Sequence, residues 1–358
     1  SLECTREHWL AQTRGVSFRT PFPRLNNWLA WVGTQPTLRR LYGNSYLPQY
    51  DYGRGGKGWR DLWQDCLALL LSDPSGVKRM LLHNFGGVRM DGSNATIIGT
   101  NGSFIADRNS IPRTWMDHGC WPAYTTLLYV DQTGDLPFLL REREYFRDPQ
   151  THRCKRRDAR WTEAYGRELR ARDGRVYRGT IFEHMLVQNL TAFFNVGEHN
   201  VCLLEGADWN DGLDMADDRG ESVAFTAFFA WNLDRLADLA DVLARRGNRM
   251  LRLARELRLL LDRVPGGRRV NYGSSRARQA RLKAYLDVVA RDVSGRTIAV
   301  DAASLAADLR EKSRTLAARI REEEWVALGK REGLFNGYYD NRGRRVEGRG
   351  SFDVAAIA

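Results

Sequence analysis

No stretch of the 358 residues approaches the roughly 18 uninterrupted apolar residues of a membrane-spanning helix. The opening residues, Ser1-Leu2-Glu3-Cys4-Thr5-Arg6, lack the basic-then-apolar order of a signal peptide. These two absences predict a cytoplasmic protein with no membrane partner. Cysteine is sparse: Cys4, Cys66, Cys120, Cys154 and Cys202 are scattered, odd in number and never spaced as C-x-x-C, which excludes a disulfide framework and a zinc site and leaves buried thiols. The phosphate-loop order G-x-x-x-x-G-K-[ST], the nucleophile elbow G-x-S-x-G and the metalloprotease motif H-E-x-x-H are all missing. There is no short-period repeat and no low-complexity tract. With only 10 Pro and 33 Gly against 43% hydrophobic residues, the chain has the composition of a folded core rather than of a disordered segment.

What is present is charge and helical period. Lys plus Arg exceed Asp plus Glu by 55 − 44 = 11, a balance that suits phosphate, nucleic acid or a membrane surface without choosing among them. The basic residues form no recognition helix or aromatic platform, so no nucleic-acid partner is expected. Leu233, Leu236, Leu239, Ala240 and Leu243 recur every three or four residues, with Asp234, Arg235, Asp238 and Asp241 opposite, which predicts an amphipathic helix. Similar stripes predict helices over 251–261, 282–289 and 305–320, a buried helix over 62–71, and another around 25–31 after Pro21 and Pro23. Strand patterns are scarce. Long Gly- and Asp-rich connections at 51–58, 86–110, 205–220 and 265–275 are of the kind that builds pockets on a helical scaffold. The expected fold is therefore all-α, a helical toroid rather than an α/β sheet. The expected organisation is a linker and helical lead-in over 1–20 and one catalytic unit over 21–358.

Three clusters could carry chemistry. In Glu205-Gly206-Ala207-Asp208-Trp209-Asn210-Asp211-Gly212-Leu213-Asp214, three Asp surround a Trp in a Gly-bounded loop, poor material for a core or a helix. An indole face can stack on a sugar while an adjacent carboxyl, its pKa raised by partial burial, protonates a glycosidic oxygen. The alternative is a metal-binding or turn-stabilising Asp loop. In Gly58-Trp59-Arg60-Asp61-Leu62-Trp63-Gln64-Asp65, Arg60, Asp61, Gln64 and Asp65 open a helix and can hold sugar hydroxyls by paired donors and acceptors; a surface ion-pair network is the plainer reading. The third, 106–122, mixes Arg, Asp, His and Trp around Asp117-His118. Here His118 serves either as acid, base or donor, or as a structural partner of its neighbouring Asp. His184 and His199 share that ambiguity.

These clusters occur in a familiar order. Gly58 to Asp65, then Asp117-His118-Gly119-Cys120-Trp121-Pro122 with Thr133-Gly134-Asp135, then Glu183-His184, Gly206 to Asp211 and Gly220-Glu221-Ser222 resemble the inverting glycoside phosphorylases. That group comprises glycoside hydrolase family 94 (cellobiose, chitobiose and β-1,2-oligoglucan phosphorylases, and part of cyclic β-1,2-glucan synthase) and relatives acting on β-1,3-glucans. Phe335-Asn336-Gly337-Tyr338-Tyr339-Asp340-Asn341 and Val346-Glu347-Gly348 are similar to the same domain. The resemblance implies an (α/α)6 barrel and reversible phosphorolysis of a β-glucosidic bond to an α-sugar 1-phosphate. Inorganic phosphate is then the co-substrate, no metal or other cofactor is required, and a homodimer is expected. It makes Asp211 the general acid, packs Trp209 at the sugar, and has Arg60, Asp65 and Arg54 hold the glucosyl unit. With Asp117, His118 and Glu221, these form the candidate substrate-binding set. Phosphate attacks the opposite face, so a second carboxylate to activate water is unnecessary.

Two departures from the family pattern shape the remaining expectations. The N-terminal β-sandwich and C-terminal β-rich domain of family members are not visible, and the family's phosphate-binding His and Thr/Gly region would lie beyond this sequence. With Ser1 rather than Met at the start and Ala358 soon after a motif, the sequence reads as a fragment whose barrel is incomplete at the C-terminal end and whose isolated activity is open. The rival readings are an (α/α)6 hydrolase using Glu221 or Asp117 as base on water, and a non-catalytic sugar-binding helical module.

Overall fold

The three-to-four spacing of apolar residues becomes helix wherever a cap or a proline closes its start. The computed structural model describes residues 1–14, 16–42, 56–99, 101–106, 113–329 and 332–348. Two N-terminal helices, α1 (Leu2–Arg14) and α2 (Pro23–Tyr42), lie against each other, and α2 rests on α3 (Trp59–Leu69). In α4 (Pro74–Asn84) the Asp73 carboxylate accepts from Gly76 N at 2.8 Å and Pro74 occupies the first turn, where its missing N–H costs nothing. α5 (Cys120–Thr133) ends at Gly134, whose φ of 70° is the left-handed cap that glycine adopts freely. α6 (Ile181–Phe194), capped by Thr180, is buried at every position and forms the centre of the core. α7 (Val223–Arg245), α8 (Ser275–Val289) and α9 (Ala302–Glu323) are capped by Ser222, Ser274 and Asp301. The most extensive helix pairing is α7 on α9, and one continuous core runs from Trp59 through α5, α6 and α7 to Tyr338.

The helical frame meets the all-α expectation, while the connections correct it. Short antiparallel ribbons join the helices. Gly56–Gly58, Ile97–Gly99 and Phe104–Ile105 make one three-stranded sheet, and Glu221–Ser222 lies between Cys202–Leu203 and Tyr338–Tyr339 in another. The helix expected over 251–261 is instead the strand Met250–Ala254 followed by a 3-10 turn, Arg255–Leu260. Leu251 and Leu253 face inward while Met250 and Arg252 are exposed, a two-residue alternation, and the strand pairs with Thr297–Asp301. The leucines at 257 and 260 extended that alternation into an apparent helical stripe. Among the described residues, no helix is long and apolar enough to cross a membrane.

Candidate active site

The site is assembled where three separate segments converge on Arg60. Burial of Leu62, Trp63, Cys66 and Leu69 on one face of α3 leaves Arg60, Asp61 and Gln64 on the other, with Arg60 in its first turn. The Arg60 guanidinium donates to Asp117 through Nε (2.6 Å) and Nη2 (3.1 Å), and Nη2 also donates to the Asp208 carbonyl (2.8 Å). Both Nη atoms lie 3.4 Å from Asp211 Oδ1. Asp117 is fully buried and accepts a further bond from Trp121 Nε1 at 2.8 Å. Burial opposes the charge on Arg60, but Asp117 and then Asp211 outweigh it and raise its pKa.

The loop that brings Asp208, Trp209 and Asp211 to Arg60 is held by the backbone. Gly206 N donates to Thr114 O and Met116 N to Ala207 O, both at 2.8 Å, so the segments before Asp117 and Asp208 run together. A Cβ at Gly206 would lie 2.3 Å from Arg113 Cγ and 2.8 Å from Thr114 O, which is why this approach requires glycine. Glu205 takes φ 56°, a strained value for a residue with a side chain, and is pinned by Arg153 through two bonds of 2.7 and 2.6 Å.

Burial falls on a different carboxyl from the one expected. Asp208 is the buried acid beside the indole: burial raises its pKa, against bonds from Asn210 N (2.9 Å), Tyr338 and Ser222 Oγ (3.0 Å). Its oxygens are committed to the loop. Asp211 stands open, its side chain 64% exposed, next to the 46% exposed Trp209. Trp209 divides two hollows. A groove of about 570 Å³ lies on one side, lined by Arg60, Asp61, Gln64 and Asp65 with Val32 and Pro36 of α2. An aromatic hollow of about 360 Å³ lies on the other, where Trp121, Phe225, Phe228 and Tyr338 face Asp208 and Asn210.

Of the candidate set, Arg60, Asp117 and Asp211 are thus in contact, and Arg60, Asp65 and Trp209 line the groove. His118 and Glu221 are placed elsewhere. His118 is buried in the wall, stacked on Trp115 at 5.2 Å, with Asn94 Nδ2 at 3.2 Å from Nδ1 and its own carbonyl accepting from Trp59 Nε1. Burial lowers its pKa to about 3, so it is a neutral packing group rather than an acid or base. Glu221 accepts from His199 Nδ1 (2.7 Å) and from the backbone of His199 and Val201, tying the 198–201 turn to the central strand. Arg54 and the Asp214 side chain lie outside the described residues. The residues missed are Trp121, Asp208 and Tyr338: each stood within a quoted motif, but nothing in one dimension showed that Trp121 holds Asp117 or that Tyr338 reaches Asp208. Among the described residues, no three His, Cys, Asp or Glu are grouped to hold a metal ion.

The chain has relatives among known proteins. Residues 162–258 match the model of the "Glycosyl hydrolase 94 superfamily, catalytic domain". Solabiose phosphorylase of Paenibacillus borealis is 26% identical over 258 residues, 71% of this chain and 27% of that protein. N,N'-diacetylchitobiose phosphorylase of Vibrio furnissii is 23% identical over 256 residues, covering 66% and 28%. Cyclic beta-(1,2)-glucan synthase NdvB of Rhizobium meliloti (strain 1021) is 23% identical over 226 residues, covering 63% and 7%. The chain thus spans just over a quarter of the length of either phosphorylase. This chain is similar to the catalytic domain of the glycosyl hydrolase 94 superfamily and to disaccharide phosphorylases.

Proposed function

We propose that the chain carries the sugar side of a glycoside phosphorylase on part of an (α/α)6 barrel. The reaction is phosphorolysis of a β-glucosidic bond in a β-glucan or gluco-oligosaccharide, with inversion, giving α-glucose 1-phosphate. The observation that carries this reading is the Arg60 node, where one guanidinium joins Asp117, the 208 carbonyl and Asp211 at the edge of a groove floored by Trp209. Asp211 is the general acid. Its open carboxyl stands beside the exposed Trp209 indole, where a sugar stacked on the ring brings the leaving oxygen within reach of the acid. Inorganic phosphate attacks the anomeric carbon from the opposite face, its proton inventory requiring no second carboxylate and no resident cofactor. The reading carries with it a cytoplasmic protein acting as a homodimer, with no nucleic-acid or membrane partner.

The hydrolase alternative is disfavoured by the carboxylates it would need. Asp117 is bound to Arg60 and Trp121, and Glu221 to His199 and Val201, so neither is free to activate water. The test is phosphate release from α-glucose 1-phosphate with glucose or short β-glucans as acceptors, using this chain and any longer product its gene encodes. Release that falls by about 10³-fold in Asp211→Asn is the expected result. Cleavage of β-glucans at equal rates with and without phosphate would assign the site to a hydrolase.

A further inference from the structure

The groove does not stop at the Arg60 node. One of its walls is α2, which contributes Val32, Gln35 and Pro36. At about 100° per residue, Leu25, Trp28, Val32, Gln35 and Pro36 share a single face of that helix, while Thr34 and Thr37 on the opposite side are buried. The face that lines the groove is therefore the same face that continues outward to Trp28 and Leu25. Trp28 is 58% exposed, and Leu25 and Val32 are 39% exposed. From Val32 to Leu25 the face extends about 10 Å along the axis, the length of about two further pyranose rings.

This strip offers the apolar contact that sugar rings stack on. The open indole of Trp28 and the branched side chain of Val32 offer apolar contact to C–H faces. Pro36, inside the helix, adds its ring where that face meets the groove.

We infer that the Leu25-Trp28-Val32 face of α2 is an extended subsite that binds the sugar units of a β-linked oligosaccharide lying beyond the disaccharide held at Arg60 and Trp209. The inference rests on the carbohydrate reading of the groove and adds a chain-length preference to it. Its occupant is a sugar chain because the strip is continuous with the groove at Arg60 and Trp209 and sets an exposed indole ring beyond it.

The test is calorimetric titration of the full chain with a β-linked gluco-oligosaccharide series from disaccharide to pentasaccharide, with sedimentation equilibrium alongside. Affinity should rise by about tenfold between the disaccharide and the tetrasaccharide. Trp28→Ala should flatten that rise and Trp28→Tyr, which keeps a ring, should restore most of it. Arg60→Ala should instead weaken every member of the series together. Disaccharide binding with no gain for longer chains, or the same gain in Trp28→Ala as in the parent, would overturn the subsite and leave the groove reading standing. A dimer that Trp28→Ala dissociates without altering the length dependence would assign the strip to a second copy of the chain and overturn it likewise. Binding of no sugar of any length would overturn the groove reading itself, and the subsite with it.

Discussion

At the scale of single residues, Arg60 ties a buried carboxylate to the proposed sugar site. Its partner Asp117 is fully buried, so truncating the guanidinium strands a carboxylate away from water. Arg60→Ala should lower unfolding stability by about 3 kcal/mol, measured by urea denaturation, and Asp117→Asn in the same background should recover part of it. A loss under about 0.5 kcal/mol would show the pair to be solvated. The residue types at this node were legible in the sequence because an acid, a guanidinium and an indole crowded into Gly-bounded loops serve neither a core nor a helix. The partners of those residues were not legible. His118 and Glu221 looked as chemical as Asp211, yet one is stacked in the wall and the other holds a turn, because burial depends on chain segments far away in sequence.

At the scale of elements, α9 shows how a helix organises the turns around it. Asp308 Oδ1 accepts from the backbone N–H of Asp262 (2.8 Å) and Arg263 (2.9 Å), ending the 3-10 turn that replaced the expected helix. Lys312, one turn on, is wholly buried and donates to Asp308 (2.5 Å) and Asp262 (3.0 Å), with Tyr272 bonded to Asp262 as well. Lys312→Ala leaves the buried Asp308 carboxylate unneutralised and Asp262 with only Arg281, at 3.9 Å, for a cation among the described residues, and should cost about 3 to 5 kcal/mol by denaturant unfolding. Asp308→Asn, which keeps an acceptor for the two N–H groups, should cost clearly less; the reverse ranking would mean that the backbone bonds, not the charge pairing, hold this corner. Helices with a clear apolar face and a Ser, Thr or Asp cap were readable, as in α7 to α9. The 250–260 segment was not, because leucines spaced for a strand and then a 3-10 turn also satisfy a helical period over a short window.

At the scale of the whole molecule, buried ionisable groups set the pH range of the fold. Burial lowers His118 to about 3 and His184 to about 4, while it raises Glu183, packed against Tyr145 and Tyr177, to about 7. The histidines are neutral in the fold, and below about pH 6.5 the unfolded chain takes up protons that the fold refuses. Stability then falls by about 1.4 kcal/mol per pH unit for each. Glu183 has the opposite sign: the fold keeps its proton up to about pH 7 while the unfolded chain releases it above about 4.5, so stability declines across that window. The two histidines outweigh Glu183 below about 6.5; above it they are neutral in both states, and of the three only Glu183 still changes stability. The urea midpoint should therefore peak between about pH 6 and 7, and Glu183→Gln should remove the decline on the alkaline side. A midpoint level from pH 5 to 7 would contradict this balance.

The sequence by itself determined the helical frame, the absence of a disulfide framework and the residue types that gather at the candidate site, because period, composition and motif are local properties of the chain. Only the tertiary structure decided which carboxyl is buried and which is open, that Asp117 is the anchor of Arg60, and that α2 walls the groove. Those outcomes depend on desolvation and on close approach between segments up to 151 residues apart, and neither is written in the neighbourhood of any one residue.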